Sequence, residues 1–220
     1  MTAKARVQSV LAGETVGSKP SMMWPGTPEN QAEIWVGTLA DSESAGDERV
    51  RLIEVTSPFG RGLQRRLDLN AALRQDPQAG SALLDQLTEE AAKEIDSALR
   101  SASDGVLYVV YGAEPAHCSP MQYGGYYLDR DLELIHLAAG GSVSAVLVMA
   151  GECAYLDFLS EAPAVIFAWD SARSGIGSAQ VRQMRAGVQA SADPASEVRL
   201  VSPGPQTSMN VPKEHFATSL

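Results

Sequence analysis

The chain has 220 residues, 45% of them hydrophobic and 20% charged, an ordinary globular composition. A folded chain of this size buries roughly 70% of its unfolded surface, so it needs no staples. Its net charge of −10 repels phosphate backbones and argues against nucleic acid as a partner. Two cysteines, Cys118 and Cys153, lie far apart and form no C-x-x-C pair, which points to a reducing, cytoplasmic setting without a disulfide framework. No apolar run reaches the roughly 18 residues that span a bilayer, so no membrane partner is expected.

In chain order, the N-terminal MTAKARVQSVLAGE has basic residues but no long apolar stretch and reads as an amphipathic helix, not a signal peptide. Pro20–Trp24 is a candidate first strand, Glu33–Gly37 a weaker second and Arg51–Ser57 a third. The Gly/Ser/Asp-rich stretch Asp41–Asp47 between them reads as a loop. From Ser81, apolar residues fall at Leu84, Leu87, Ala91, Ile95 and Leu99. They form one helical stripe, with Glu89, Glu90, Lys93 and Glu94 near the opposite side.

Gly105–Tyr111 is wholly apolar, β-branched and aromatic, as a buried parallel strand should be. Asp131–Ala139 predicts a short helix. Ser144–Met149 and Ala164–Trp169 predict two more buried strands. Ala179–Arg185 predicts a helix, and Val188–Ala190 and Val198–Val201 are short final strands. Alternating strands and helices imply right-handed crossovers and a parallel sheet in one domain, 1–220. Eight strands would close a TIM-type (β/α)8 barrel, compact because the chain is near the lower limit of about 200 residues. Six or seven would leave it incomplete.

In such a barrel, functional groups gather where strands end. Asp170 closes the sixth strand with Arg173 close behind, and is either a catalytic acid or the N-cap of the following turn. Arg61, Arg65 and Arg66 follow Ser57-Pro58-Phe59 and are either an anion clamp or a solvated helix face. Tyr111, Glu114, His117 and Cys118 follow the fourth strand; His117 has acid–base chemistry near neutral pH and Glu114 could orient it. Tyr123, Tyr126 and Tyr127 read as packing beneath that loop. Cys153 reads as a structural thiol, since no cation stands near it in sequence. Ser174–Ser178, glycine-rich but without P-loop spacing, reads as a loop ahead of a helix.

Six segments, taken in order, carry a resemblance: the opening MTAKARVQSVLAGETVGSKPSMMWPG, then IEVTSPFGRGLQRRLDLNAALRQDPQAGSALLDQLTEEAAKEI, SDGVLYVVYGAEPAHCSP, SAVLVMAG, AVIFAWD and RLVSPGPQTSMNVPKEH. Together they resemble the uroporphyrinogen decarboxylase superfamily, including its zinc- and cobalamin-linked methyltransferases, in a shortened form. The resemblance implies an eight-stranded barrel. It also implies either a cofactor-free decarboxylase of porphyrin biosynthesis or a binder of a carboxylated tetrapyrrole or a related anionic small molecule. On that reading Asp170 is the polar centre and Arg61 and Arg65 hold carboxylates, with Arg173 and Glu114 beside the ligand. Tyr111 or His117 donates the proton.

The family's arginine-rich stretch would fall near Met22–Thr27, which has no arginine, and its last-strand histidine near Pro205. The methyltransferase zinc ligands would fall on Val148, Ala150 and Pro205, none able to bind metal, so no metal and no cofactor is expected. These departures favour a second class, a catalytically inactive barrel acting as a binding or structural protein. The tail PKEHFATSL is short for a closing helix, which suggests support from a partner subunit in a homodimer.

Overall fold

A computed structural model describes residues 1–24, 32–41 and 48–201. Eight strands form a closed, wholly parallel barrel in the order β1 to β8. They are β1 (Ser21–Met23), β2 (Ile34–Gly37), β3 (Val50–Thr56), β4 (Gly105–Tyr111), β5 (Val143–Met149), β6 (Ile166–Trp169), β7 (Val188–Ser191) and β8 (Val198–Val201). β1 closes the ring against β8, Met22 beside Leu200. The two short final strands are thus full members, and the fold is a TIM-type (β/α)8 barrel. The expected loop after β2 lies largely outside the described residues, as do Pro205 and the tail.

The strands that read most plainly in sequence are buried on both faces. All seven residues of β5 are buried, as are six of seven in β4. Register and alternation sort the two faces. Tyr108 reaches outward, because its hydroxyl bonds Asp131 on α6 (Leu128–Ala138) at 2.7 Å. Its flanking neighbours Leu107 and Val109 therefore point into the lumen. So do the residues paired with them, Glu54 and Thr56 on β3 and Ala145 and Leu147 on β5.

α1 (Ala3–Leu11) starts at Thr2, whose side chain accepts from Ala5 N–H at 3.2 Å. Ion pairs from Arg6 to Glu33 and from Lys4 to Asp104 fasten it beside the strand starts. After β3 come α2 (Pro58–Gln64), α3 (Leu69–Gln75) and the long α4 (Pro77–Arg100), each capped by the side chain before it: Ser57, Asp68 and Asp76. The α4 stripe buries Leu84, Leu87, Ala91, Ile95 and Ala98. Gly80 lets α4 meet α3, since a Cβ there would lie 2.7 Å from the Leu73 backbone.

After β4, a capped turn α5 (Pro120–Gln122) and a π-helical turn Tyr123–Tyr127 lead into α6. α7 (Ser171–Ser174) and α8 (Ser178–Met184) follow β6. No helix among the described residues is long and apolar enough to cross a membrane.

Residues 192–197 join β7 to β8 without a helix. Parallel crossovers normally take a dozen or more residues. The short link suffices here because Val198, at the start of β8, pairs with Ala190, near the end of β7. Buried serines stand where a crossover helix would pack. Ser196 Oγ lies 2.6 Å from Ser191 Oγ and 2.8 Å from Ser178 Oγ. Ser196→Ala is expected to lower unfolding free energy by about 1–3 kcal/mol, because two buried hydroxyls lose a partner. Urea denaturation checks this, and an unchanged midpoint contradicts it.

Candidate functional site

The C-terminal ends of β3, β4, β5 and β6 gather the polar groups. Ser57 ties two of them together: its Oγ accepts from Gly60 N–H at 3.2 Å, starting α2, and from Tyr111 N–H at 3.3 Å, at the end of β4. The chain then turns at Gly112, whose φ of +84° suits glycine. A side chain there would also press on Leu63, with 2.5 Å between its Cβ and Leu63 Cδ1.

The turn delivers Glu114 and His117 to one spot. Glu114 Oε1 lies 3.4 Å from His117 Nε2, and Glu114 Oε2 accepts from Gly151 N–H in the loop after β5. The carboxylate thus stands beside the imidazole while being held by the neighbouring strand end. His117 Nδ1 is buried and has no hydrogen-bond partner. Such an orphan is unusual in a folded protein and marks a position where a ligand atom could complete the set. The Tyr111 ring packs 5.6 Å from the imidazole. Its phenol is held above the ordinary tyrosine range by burial and by the negative charge of Glu114, and Arg173 on α7 partly offsets this.

Backbone struts fix the imidazole loop from both sides. Asn70 on α3 donates to the His117 carbonyl at 2.9 Å and accepts from Tyr127 Oη at 2.8 Å. Tyr155 Oη donates to the Cys118 carbonyl at 2.8 Å. Cys118 is buried and its thiol is pushed up to about 11, chiefly by desolvation, so it is not a nucleophile at neutral pH. Cys153, expected as a structural thiol, is instead exposed, on a residue with φ of +60°.

The structure brings together Tyr111, Glu114 and His117, with the Arg173 charge felt at Tyr111. Arg61 is buried, donating through Nε to the Thr56 carbonyl at 2.8 Å and gripping both Glu94 oxygens at 2.9 and 2.5 Å. Arg65 binds Glu90 at 2.5 Å. Both guanidinium groups therefore lock α2 to α4, and this corrects the expected carboxylate clamp. Asp170 accepts from the N–H groups of Ala172 and Arg173 at 3.1 and 3.0 Å. It is the N-cap of α7 rather than a free acid at a polar centre, although it still sits at the β6 end.

Tyr123 and Tyr127 are packing groups, as expected. Gly175 ends α7 in the left-handed region and Gly177 precedes α8, so Ser174–Ser178 is a loop between helices.

Sequence reasoning missed Glu54, an acid facing the lumen below the mouth. The available signal was a charge set within an apolar run, Leu52-Ile53-Glu54-Val55.

No family model matches the chain, and no curated protein matches its sequence. Among solved structures it is similar to a methyltransferase from Methanosarcina mazei, with a TM-score of 0.64 at 10% identity over 86% of this chain and 82% of that one. The likeness is one of fold. It agrees with the barrel and leaves the chemistry to the residues themselves. Zinc does not suit the positions that the sequence resemblance assigns: Val148 and Ala150 carry no donor side chain, and Pro205 is outside the described residues. Among the described residues, no three His, Cys, Asp or Glu side chains gather in a way that could hold a metal ion.

Proposed function

We propose that this barrel binds a carboxylated anionic small molecule at its C-terminal mouth, where His117 moves a proton. The observation that carries the reading is the His117–Glu114 pair, with its orphaned Nδ1, packed against Tyr111 in reach of the Arg173 charge. Arg173 is exposed and supplies the cation that meets a carboxylate. The chemistry that fits, and that the sequence resemblance also suggests, is decarboxylation without a cofactor. The carbon–carboxylate bond breaks, carbon dioxide leaves, and the electron pair left on carbon takes the His117 proton. Glu114 stands beside the imidazole.

The test is calorimetric titration with uroporphyrin, plus carbon dioxide release from the matching porphyrinogen under reducing conditions. Binding in roughly the micromolar range is expected. Arg173→Ala should weaken it about tenfold, the worth of one charge-assisted contact. His117→Ala should leave binding and abolish release. Failure of the tetrapyrrole and of simple carboxylates alike to bind overturns the proposal.

A second reading, a barrel that binds without turnover, draws on the engagement of Arg61 and Arg65 with α4 and of Asp170 with α7. Tight binding without carbon dioxide release selects it.

A further inference from the structure

The lumen of a TIM-type barrel is normally filled by layers of branched apolar side chains. Here one position breaks that rule. Glu54 shares its level with Leu107 and Ala145, its neighbours across the β3–β4–β5 ladder, and faces inward with them. The next ladder step places Ile166 beside Ala145 and Val188 beside Ile166, so among the described residues β4 to β7 bring no counter-charge to Glu54 at this level. Small residues line the same interior, with Ala168 and Ala190 one step nearer the mouth. Glu54 is half-buried, and its carboxyl has no hydrogen-bond partner among the described residues. Enough of the side chain stays accessible for a ligand in the lumen to meet it.

Resting on the site proposed above, we infer that Glu54 is the inner pole of that site and receives a protonated nitrogen of the ligand while Arg173 holds its carboxylate. The ligand class is then amphoteric: a carboxylate at one end and an ammonium or similar cationic nitrogen at the other. The spacing suits a small molecule. Four residues separate Leu107, at the level of Glu54, from Tyr111 at the rim, a rise of roughly 13 Å along the strand.

Electrostatics agree with the geometry. Burial, and then the negative charge of Glu94, hold the Glu54 carboxyl above its ordinary range. Glu94 itself is paired with Arg61. A cationic nitrogen arriving at Glu54 favours the ionised form.

The experiment compares matched probes on the full chain: β-alanine, γ-aminobutyrate, δ-aminovalerate and ε-aminocaproate against the fatty acids of equal length. Affinities are read by ligand-observed NMR and by calorimetry. One amino acid of the series is expected to bind roughly tenfold tighter than its fatty acid. Glu54→Gln should remove that preference while leaving fatty-acid binding in place. Arg173→Ala should weaken both classes.

Equal binding of both classes by the native protein overturns the role of Glu54 and leaves the carboxylate site standing. If neither class binds and Arg173→Ala changes nothing, the carboxylate site falls and the inference falls with it. Glu54→Leu guards against a misfolded variant: it too should keep fatty-acid binding, and retention of the amino-acid preference in either variant contradicts the proposal.

Discussion

Glu94→Gln is expected to lower the unfolding free energy by about 2 kcal/mol, read from urea midpoints at unchanged slope. The Arg61 side chain is only 9% exposed and Glu94 is its bidentate partner. Removing one partner of a fully buried pair costs about 3–5 kcal/mol, because the other charge is stranded. Glu94 is 45% exposed, so solvent shares in the pair and the smaller figure follows. The matching change at the exposed rim, Glu90→Gln, should cost under about 1 kcal/mol, since Arg65 is 47% exposed. Equal losses for the two variants would show that Arg61 is not the buried anchor between α2 and α4.

The second large effect depends on pH. Asp131 on α6 is buried and accepts from Tyr108 Oη at 2.7 Å and Tyr123 Oη at 2.8 Å. Desolvation pushes its carboxyl up to about 6, against the opposing pull of the two hydroxyl donors. A carboxyl raised in the folded state keeps its proton there at pH values where the unfolded chain has lost it. Its contribution is therefore greatest below its unfolded value near 4 and is lost as pH rises through 6. The two-unit rise corresponds to roughly 3 kcal/mol at most.

Asp131→Asn keeps an acceptor and does not titrate. Between about pH 4 and about pH 7 the stability gap between the native protein and the variant should move toward the variant by up to that amount. Parallel pH curves for the two proteins would contradict a raised Asp131. Both flanking phenols are pushed well above their ordinary range by burial and by Asp131, so they stay protonated throughout and do not blur the reading.

The strands were legible where burial on both faces leaves nothing to alternate. The wholly apolar run at residues 105–111 is β4 at the same bounds. The Leu84–Ile95 stripe marked α4, because a long helix repeats its pattern enough times to be seen. α2 and α3 were too short to show a period, although Ser57-Pro58 and Asp68 carried their start signals.

At the site, Tyr111, Glu114 and His117 could be grouped because one short loop holds them all. Arg61 and Arg65 misled because their partners lie on another helix. Yet the matching was in the sequence: two arginines four apart face two glutamates four apart in reverse order, as antiparallel helices require. Glu54 was hidden because a barrel strand has no solvent face to mark its charge: one side meets the lumen and the other the helices.

The ring has a clasp. Residues near opposite ends of the described chain, Ser21–Met23 and Arg199–Val201, meet to close it, and each of these strands is short. Joining such distant segments carries the largest chain-entropy penalty of any seam in the molecule. The β3–β4–β5 arc, backed by α4 and α6, has longer ladders and a thicker outer wall. Thermal opening therefore begins as a hoop parting at its clasp, while the arc that carries Glu54, Tyr111 and His117 keeps its shape.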